Sequence, residues 1–268
     1  MAKDSEKKHW DKFWSSSNDL EQLYANDGRI IENLEAALDV AGKRILEVGA
    51  GTGRDSETLA ALGAEAWTLD YSEESLRLMA GNIEQPVRIV CGDAFELPFE
   101  SGTFDAVFHQ GLLEHFKNPR DILVENYRIL KPGGYVLADV PQRFHYYTLA
   151  KHVLMFFDKW FAGWETEFSP RELEAMVSSA GFEVITTYGH NLYPPIWYRG
   201  MRKVLLRAGP KVPMYPFDSP AFRKVRKSAL GVLPHRLVLN TSMVIGCIGR
   251  KAPGEGHVTG NETTADMV

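Results

Sequence analysis

The sequence predicts an α/β fold in which a parallel sheet carries helices on both faces. Three observations predict it. Between Arg44 and Val140, short runs that are apolar through their length alternate with segments of helical apolar spacing. Residues that cap or stop helices stand at the junctions: Ser72, Pro119, Gly63 and Gly81. The first apolar run ends in the bare turn GAGTG, Gly49 to Gly53. Runs that are apolar throughout, rather than at every second residue, belong to strands covered on both sides.

In order, HWDKFW (His9 to Trp14) and RIIENLEAALDV (Arg29 to Val40) carry helical spacing ahead of the first strand, so residues 1–42 are expected to form helices that cover the site. RILEV is a strand, and RDSETLAALG a helix stopped by Gly63. EAWTLD is a strand, and SEESLRLMAG a helix capped by Ser72 and ended at Gly81. VRIVCGD and FDAVFHQ are strands, PRDILVENYRIL is a helix opened by Pro119, and GGYVLADV is a strand entered through the turn KPGG. After Pro141 the rhythm breaks into an aromatic segment that runs to Phe168. SPRELEAMVSSAG is then a helix with Ser169 as N-cap and Pro170 at its first position, and FEVITTY a strand. A basic stretch follows, and LVLNTSMVIGCIGR reads as a long last strand or hairpin arm. The main domain is expected over 43–250, with a lid insert at 142–168 and a basic insert at 194–236, and the tail 251–268 is expected to be disordered.

The chain has 268 residues, 44% of them apolar and 24% charged, which suits a soluble globular protein with a real core. Its start, MAKDSEKKHW, is charged and lacks the apolar centre of a leader, and no run reaches the roughly 18 apolar residues of a membrane span. Cys91 and Cys247 lie far apart inside apolar runs and are expected to be buried free thiols, which fits a reducing, cytoplasmic setting. No Cys/His cluster has zinc-ligand spacing, so no metal is expected.

Glycines between a first strand and its helix let a ligand approach the backbone near the positive end of the helix dipole. The dinucleotide fingerprint places its third glycine three residues after the second. Here that position is Arg54, and the third glycine comes one residue early, at Gly53. The strand also ends in an acid, Glu47, which suits a cationic ligand better than a pyrophosphate. Asp70 ends the second strand, where a carboxylate can accept both hydroxyls of a ribose, and Asp93 ends the third, where it can accept from an adenine amino group. Each acid taken singly also reads as a helix cap. Three together beside a glycine turn describe a pocket for a positively charged nucleoside.

The ordered set EVGAGTG, LDYS, GDAFELPF, FDAVFHQGLLEHF and LKPGGYVLADVP resembles the class I S-adenosylmethionine-dependent methyltransferases, closest to the group that includes ubiquinone and menaquinone biosynthesis enzymes. The likeness runs from Arg44 to about Tyr188. It implies a Rossmann-like sheet of seven strands with the last antiparallel, inserted between the fifth and sixth. It also implies S-adenosyl-L-methionine as cofactor, with Gly49, Ala50, Gly51 and Gly53 along the methionine and ribose, and Asp70 on the ribose. Tyr71, Asp93, Ala94 and Phe95 would lie about the adenine, Gln110 and Glu47 at the methionine end, and Arg29 on the cofactor carboxylate.

The resemblance implies methyl transfer by in-line displacement, in which the protein aligns the reactants and excludes water. A hydroxyl acceptor would be helped by a base, and the candidates are His109, His115 and His145, with His152 a further imidazole nearby. The segment Phe144 to Phe168 holds nine aromatics in twenty-five residues. As a lid, with Tyr146, Phe157 and Trp160 in it and Trp10 and Trp14 opposite, it favours a flat or greasy small-molecule acceptor over a sugar or nucleic acid. Between Arg199 and Arg236 stand ten Lys or Arg and one acid, Asp218, in a chain whose net charge is −5. This stretch reads as a surface facing the acidic remainder, within the chain or across a homodimer, as a peripheral membrane contact through 197–227, or as a contact with an anionic acceptor or nucleic acid. Two other functions stay open beside an active methyltransferase. One is a cofactor-binding partner or regulatory protein without catalysis; the other is a nicotinamide-dependent oxidoreductase, disfavoured by Arg54.

Overall fold

The computed structural model describes residues 7–16, 28–157, 165–191, 195–207, 209–213, 219, 225 and 233–254. Helix α1 (Lys7–Ser16) and α2 (Arg29–Ala37) precede the sheet. Then β1 (Arg44–Val48), α3 (Arg54–Ala61), β2 (Glu65–Asp70), α4 (Glu73–Asn82), β3 (Arg88–Cys91) and β4 (Phe104–Gln110) alternate. A 3-10 turn at Leu113–His115 leads to α5 (Pro119–Ile129), β5 (Leu130–Pro141) and α6 (Tyr146–Phe156). The chain ends with α7 (Pro170–Ser179), β6 (Glu183–His190), α8 (Ile196–Arg207), α9 (His235–Thr241) and β7 (Val244–Arg250).

The seven strands order as β3-β2-β1-β4-β5-β7-β6. β7 pairs antiparallel with both β5 and β6, and the other pairings are parallel. The antiparallel strand between the fifth and sixth is thus where the resemblance put it. Pro141 and His190, the last residues of β5 and β6, both stand opposite Val244. Six strands therefore end at one edge of the sheet, where ligands of open α/β sheets sit.

Alternation along each strand divides the core. Leu46 and Val48 of β1 pack on one face with Ile122 and Leu123 of α5 and Leu173 and Val177 of α7. Ile45 faces the other way, with Ile30 and Leu34 of α2 and Leu59 of α3. These side chains are fully buried, each stabilising the fold by roughly 1.5–3 kcal/mol. Local signals hold the ends: the Ser72 hydroxyl accepts from Ser75 N–H, and Ser169 and Glu172 form a reciprocal capping box behind Pro170.

Three expectations need correction. LVLNTSM is not a strand: it forms α9 after Pro234, and the strand is confined to Val244–Arg250. Cys91 is exposed, because β3 is a four-residue edge strand; Cys247, on interior β7, is buried. Lys251 is not in a loose tail, since its Nζ donates to the Tyr127 and Leu130 carbonyls at 2.7 Å. The KPGG turn is drawn into β5, with a register shift against β4 between Phe104 and Ala106. The rest of the tail, from 255, and most of 214–232 lie outside the described residues.

Candidate active site

A cavity of about 430 Å3 opens at the carboxyl edge of the sheet, with Glu47, Asp70 and Asp93 in its walls beside the glycine turn. Gly49, Gly51 and Gly53 all have positive φ, the conformation that lets β1 turn directly into α3. At Gly51 the need is also steric, since a Cβ there would stand 2.7 Å from the Trp14 ring. The turn is pinned from below: the Gly49 and Ala50 N–H groups donate to the Leu69 carbonyl at 2.8 and 3.2 Å.

The three acids differ in setting. Asp70 is buried and accepts the N–H of Gly51 and of Ser72, each at 2.8 Å. Burial pushes its carboxyl up from the ordinary value, against those hydrogen bonds. Glu47 accepts the Ser56 hydroxyl at 2.6 Å and is raised to about 8, by burial first and by Asp55 second. Asp93 is turned toward its own loop, where it accepts the Phe95 N–H at 2.9 Å. Ala94, Phe95, Tyr71 and Gln110 also border the cavity.

Helix α1 lies across the mouth. Lys7 pairs with Glu73 at 3.0 Å, the Ser72 hydroxyl donates to Asp11 at 2.6 Å, and Trp10 meets the His115 ring edge-on at 4.7 Å. Trp10 and Trp14 stand in the cavity wall.

Other candidates lie elsewhere. Arg29 is absent from the cavity wall; it is buried, and its Nε and Nη2 donate to Asp139 at 3.1 and 2.8 Å. Tyr188 donates to the same carboxylate at 2.9 Å, so Arg29 braces β5 behind the site. His109 is fully buried on β4, neither ring nitrogen reaches a hydrogen-bond partner, and burial pushes it down to about 3. His145 caps α6, where its Nδ1 accepts from Tyr147 N–H at 3.2 Å. His152 sits 2.9 Å from Glu167. Of these four imidazoles, His115 is the one in the cavity wall. Tyr146 and Phe157 point to solvent, 59% and 62% exposed, and Trp160 lies outside the described residues.

The segment 142–168 borders the cavity through residues the sequence reading passed over, Tyr147 and Glu165. Its anchor is Lys151, 1% exposed, whose Nζ lies 2.6 Å from both Glu165 and Glu167. Glu114, buried in the 3-10 turn, also borders the cavity. It stands in LLEHF beside His115, and that neighbour was the signal available for it.

Known proteins were compared with the chain. A methyltransferase-domain family model matches residues 46–138. A ubiquinone biosynthesis O-methyltransferase of Neisseria meningitidis is 30% identical over 190 residues, 67% of this chain and 80% of that protein. A demethylmenaquinone methyltransferase of Clavibacter sepedonicus is 41% identical over 111 residues, 40% of this chain and 44% of that protein, so the chain spans less than half of that relative. A solved S-adenosylmethionine-dependent methyltransferase structure from Thermotoga maritima superposes with a TM-score of 0.61 at 20% identity, covering 91% of this chain and 99% of the other, a likeness of fold.

Proposed function

The chain belongs to the class I S-adenosylmethionine-dependent methyltransferases, and on that premise we propose that it methylates a small, flat, lipid-like acceptor at the carboxyl edge of its sheet. The observation that carries this reading is that one cavity is bordered both by three strand-end acids and by Trp10, His115 and Tyr147. The names of the quinone-pathway relatives support an aromatic acceptor with a greasy tail.

The cofactor is S-adenosylmethionine, and it supplies a methyl group activated by the sulfonium, which departs as a thioether with the bond's electron pair. The donor set fits it. Asp70 has lone pairs beyond those given to Gly51 and Ser72, and would take the ribose hydroxyls. Tyr71, Asp93, Ala94 and Phe95 would border the adenine, while Gln110 and Glu47 would face the methionine end. The bare turn Gly49 to Gly53 permits close backbone approach. Trp14 and Trp10 on α1 exclude water from above. Calorimetry with S-adenosylhomocysteine, followed by labelled-methyl transfer to a catechol and quinol panel, tests the reading.

A lipid surface is the proposed source of the acceptor. α6 follows β5 and α8 follows β6, so both leave the edge that holds the cavity. Leu149, Val153 and Phe156 of α6 are 71%, 51% and 83% exposed, and Trp197 and Val204 of α8 are 63% and 66% exposed. The sequence of α8 interleaves its apolar residues with Arg199, Arg202, Lys203 and Arg207. Exposed apolar side chains mixed with cations suit an anionic bilayer surface. Among the described residues, no helix is long and apolar enough to cross a membrane.

A further inference from the structure

We propose that Glu114 is the acceptor-side proton-accepting residue, taking the proton of a phenolic or enolic hydroxyl on its carboxylate. The proposal rests on the methyltransferase reading and adds to it the chemical class of the acceptor and the residue that meets it.

Glu114 is 3% exposed, yet it borders the cavity. Its Oε2 has no hydrogen-bond partner. A buried carboxyl oxygen without a partner costs free energy unless a ligand completes it. The placement is built rather than incidental. Gly111 follows β4 with φ 66°, a conformation that favours glycine, and turns the chain from β4 toward the 3-10 turn that carries Glu114. The Glu114 carbonyl accepts the Thr166 N–H at 2.8 Å, which fastens the turn to the segment carrying Glu165. Gln110, one residue before Gly111, borders the same cavity, and on the methyltransferase reading it would face the methionine end, which would put Glu114 near the methyl group.

The groups around Glu114 make its carboxyl hold a proton more tightly than an ordinary carboxyl does. Burial raises its carboxyl well above the ordinary range, the negative charge of Glu165 raises it further, and Asp139 adds to this. Lys151, held between Glu165 and Glu167, works the other way. Tyr147 and His115 complete this side of the wall, and the Tyr147 phenol is itself pushed upward by burial and by Glu165, so it stays protonated. In the step, the acceptor O–H bond breaks with its electron pair left on oxygen, where that pair is the nucleophile for the methyl carbon. The proton goes to the Glu114 carboxylate.

The test uses 4-nitrocatechol, a chromophoric diphenol whose ionisation changes its absorbance, bound to the full chain with S-adenosylhomocysteine. In wild type the probe is expected to bind as phenolate at a pH where the free probe is mostly phenol. In Glu114→Gln it is expected to bind as phenol, and Glu114→Asp should restore part of the phenolate signal. With any diphenol that is turned over, Glu114→Gln should lower kcat by about 100-fold or more and flatten the acid limb of the pH profile. S-adenosylhomocysteine affinity should stay within twofold. The same protonation state of the probe in wild type and Glu114→Gln, or no probe binding to the wild-type complex, overturns the proposal. Failure of wild type to bind S-adenosylhomocysteine overturns the methyltransferase reading, and the proposal falls with it.

Discussion

The Asp70 carboxylate and the Gly51 N–H are joined by a 2.8 Å hydrogen bond, so one acid both shapes the glycine turn and borders the cavity. Its second oxygen accepts from Ser72, the N-cap of α4. Asp70→Ala is therefore expected to weaken S-adenosylhomocysteine binding by about 1.5–3 kcal/mol for each charge-assisted hydrogen bond lost, and at least tenfold overall. Asp70→Asn, which keeps an acceptor oxygen for Gly51, should fall between. Calorimetry on folded variants checks this; unchanged affinity in Asp70→Ala would show that the strand end does not hold the ribose.

Glu47 supplies a proton signature. In the cavity as described its carboxyl is raised to about 8 by burial and Asp55, so near pH 7 it is largely protonated. A cationic ligand beside it favours the carboxylate and drives the proton off. Binding of S-adenosylmethionine should therefore release a proton, seen as a binding enthalpy that varies with the ionisation enthalpy of the buffer. Glu47→Gln should abolish that variation. The sign for stability follows from the raised value. The contribution of Glu47 is fully present below its ordinary 4.5 and is lost as pH rises through about 8, so the ligand-free protein should lose stability over that window.

The lid depends on a buried cation. Removing Lys151 alone, as Lys151→Met, leaves Glu165 and Glu167 without their shared partner and should cost about 3–5 kcal/mol in denaturant unfolding. The triple variant with Glu165→Gln and Glu167→Gln should recover much of that loss. A triple variant less stable than Lys151→Met would contradict the shared-cation account.

Much of the fold was legible because its signals are local. The run RILEV, the turn GAGTG and the acid Asp70 each declare themselves within a few residues, and the sheet follows from their repetition. What was not legible depends on partners distant in the chain. Arg29 looks like a surface arginine at the start of an amphipathic helix until β5 brings Asp139 beneath it, 110 residues later. The charge of Glu165 acts on Glu114 because Thr166 N–H, 52 residues further along the chain, donates to the Glu114 carbonyl. Lys151 reads as an ordinary solvent lysine in YYTLAKHVLMF, yet two glutamates pull it inward. In LVLNTSM the β-branched and apolar residues resemble a strand, but packing of α9 on β6 overrides that preference.

Lipid contact predicts salt-sensitive sedimentation with anionic vesicles. Phe156→Ser with Val204→Ser should weaken it by removing apolar contact, and Arg202→Gln with Arg207→Gln by about 1 kcal/mol per charge near the surface. Equal binding to neutral and anionic vesicles would contradict the electrostatic part, and no binding to either would dismiss the surface.

The central claim is that the cavity at the carboxyl edge holds S-adenosylmethionine and passes its methyl group to a flat, lipid-like acceptor. Transfer of labelled methyl from S-adenosylmethionine to catechol- and naphthoquinol-type acceptors in detergent micelles tests it most directly, with Asp70→Ala run alongside at subsaturating cofactor. The expected result is label in the organic extract with wild type and at least tenfold less with Asp70→Ala. No label from a wild-type protein that binds S-adenosylhomocysteine, or equal label from both proteins, would contradict it.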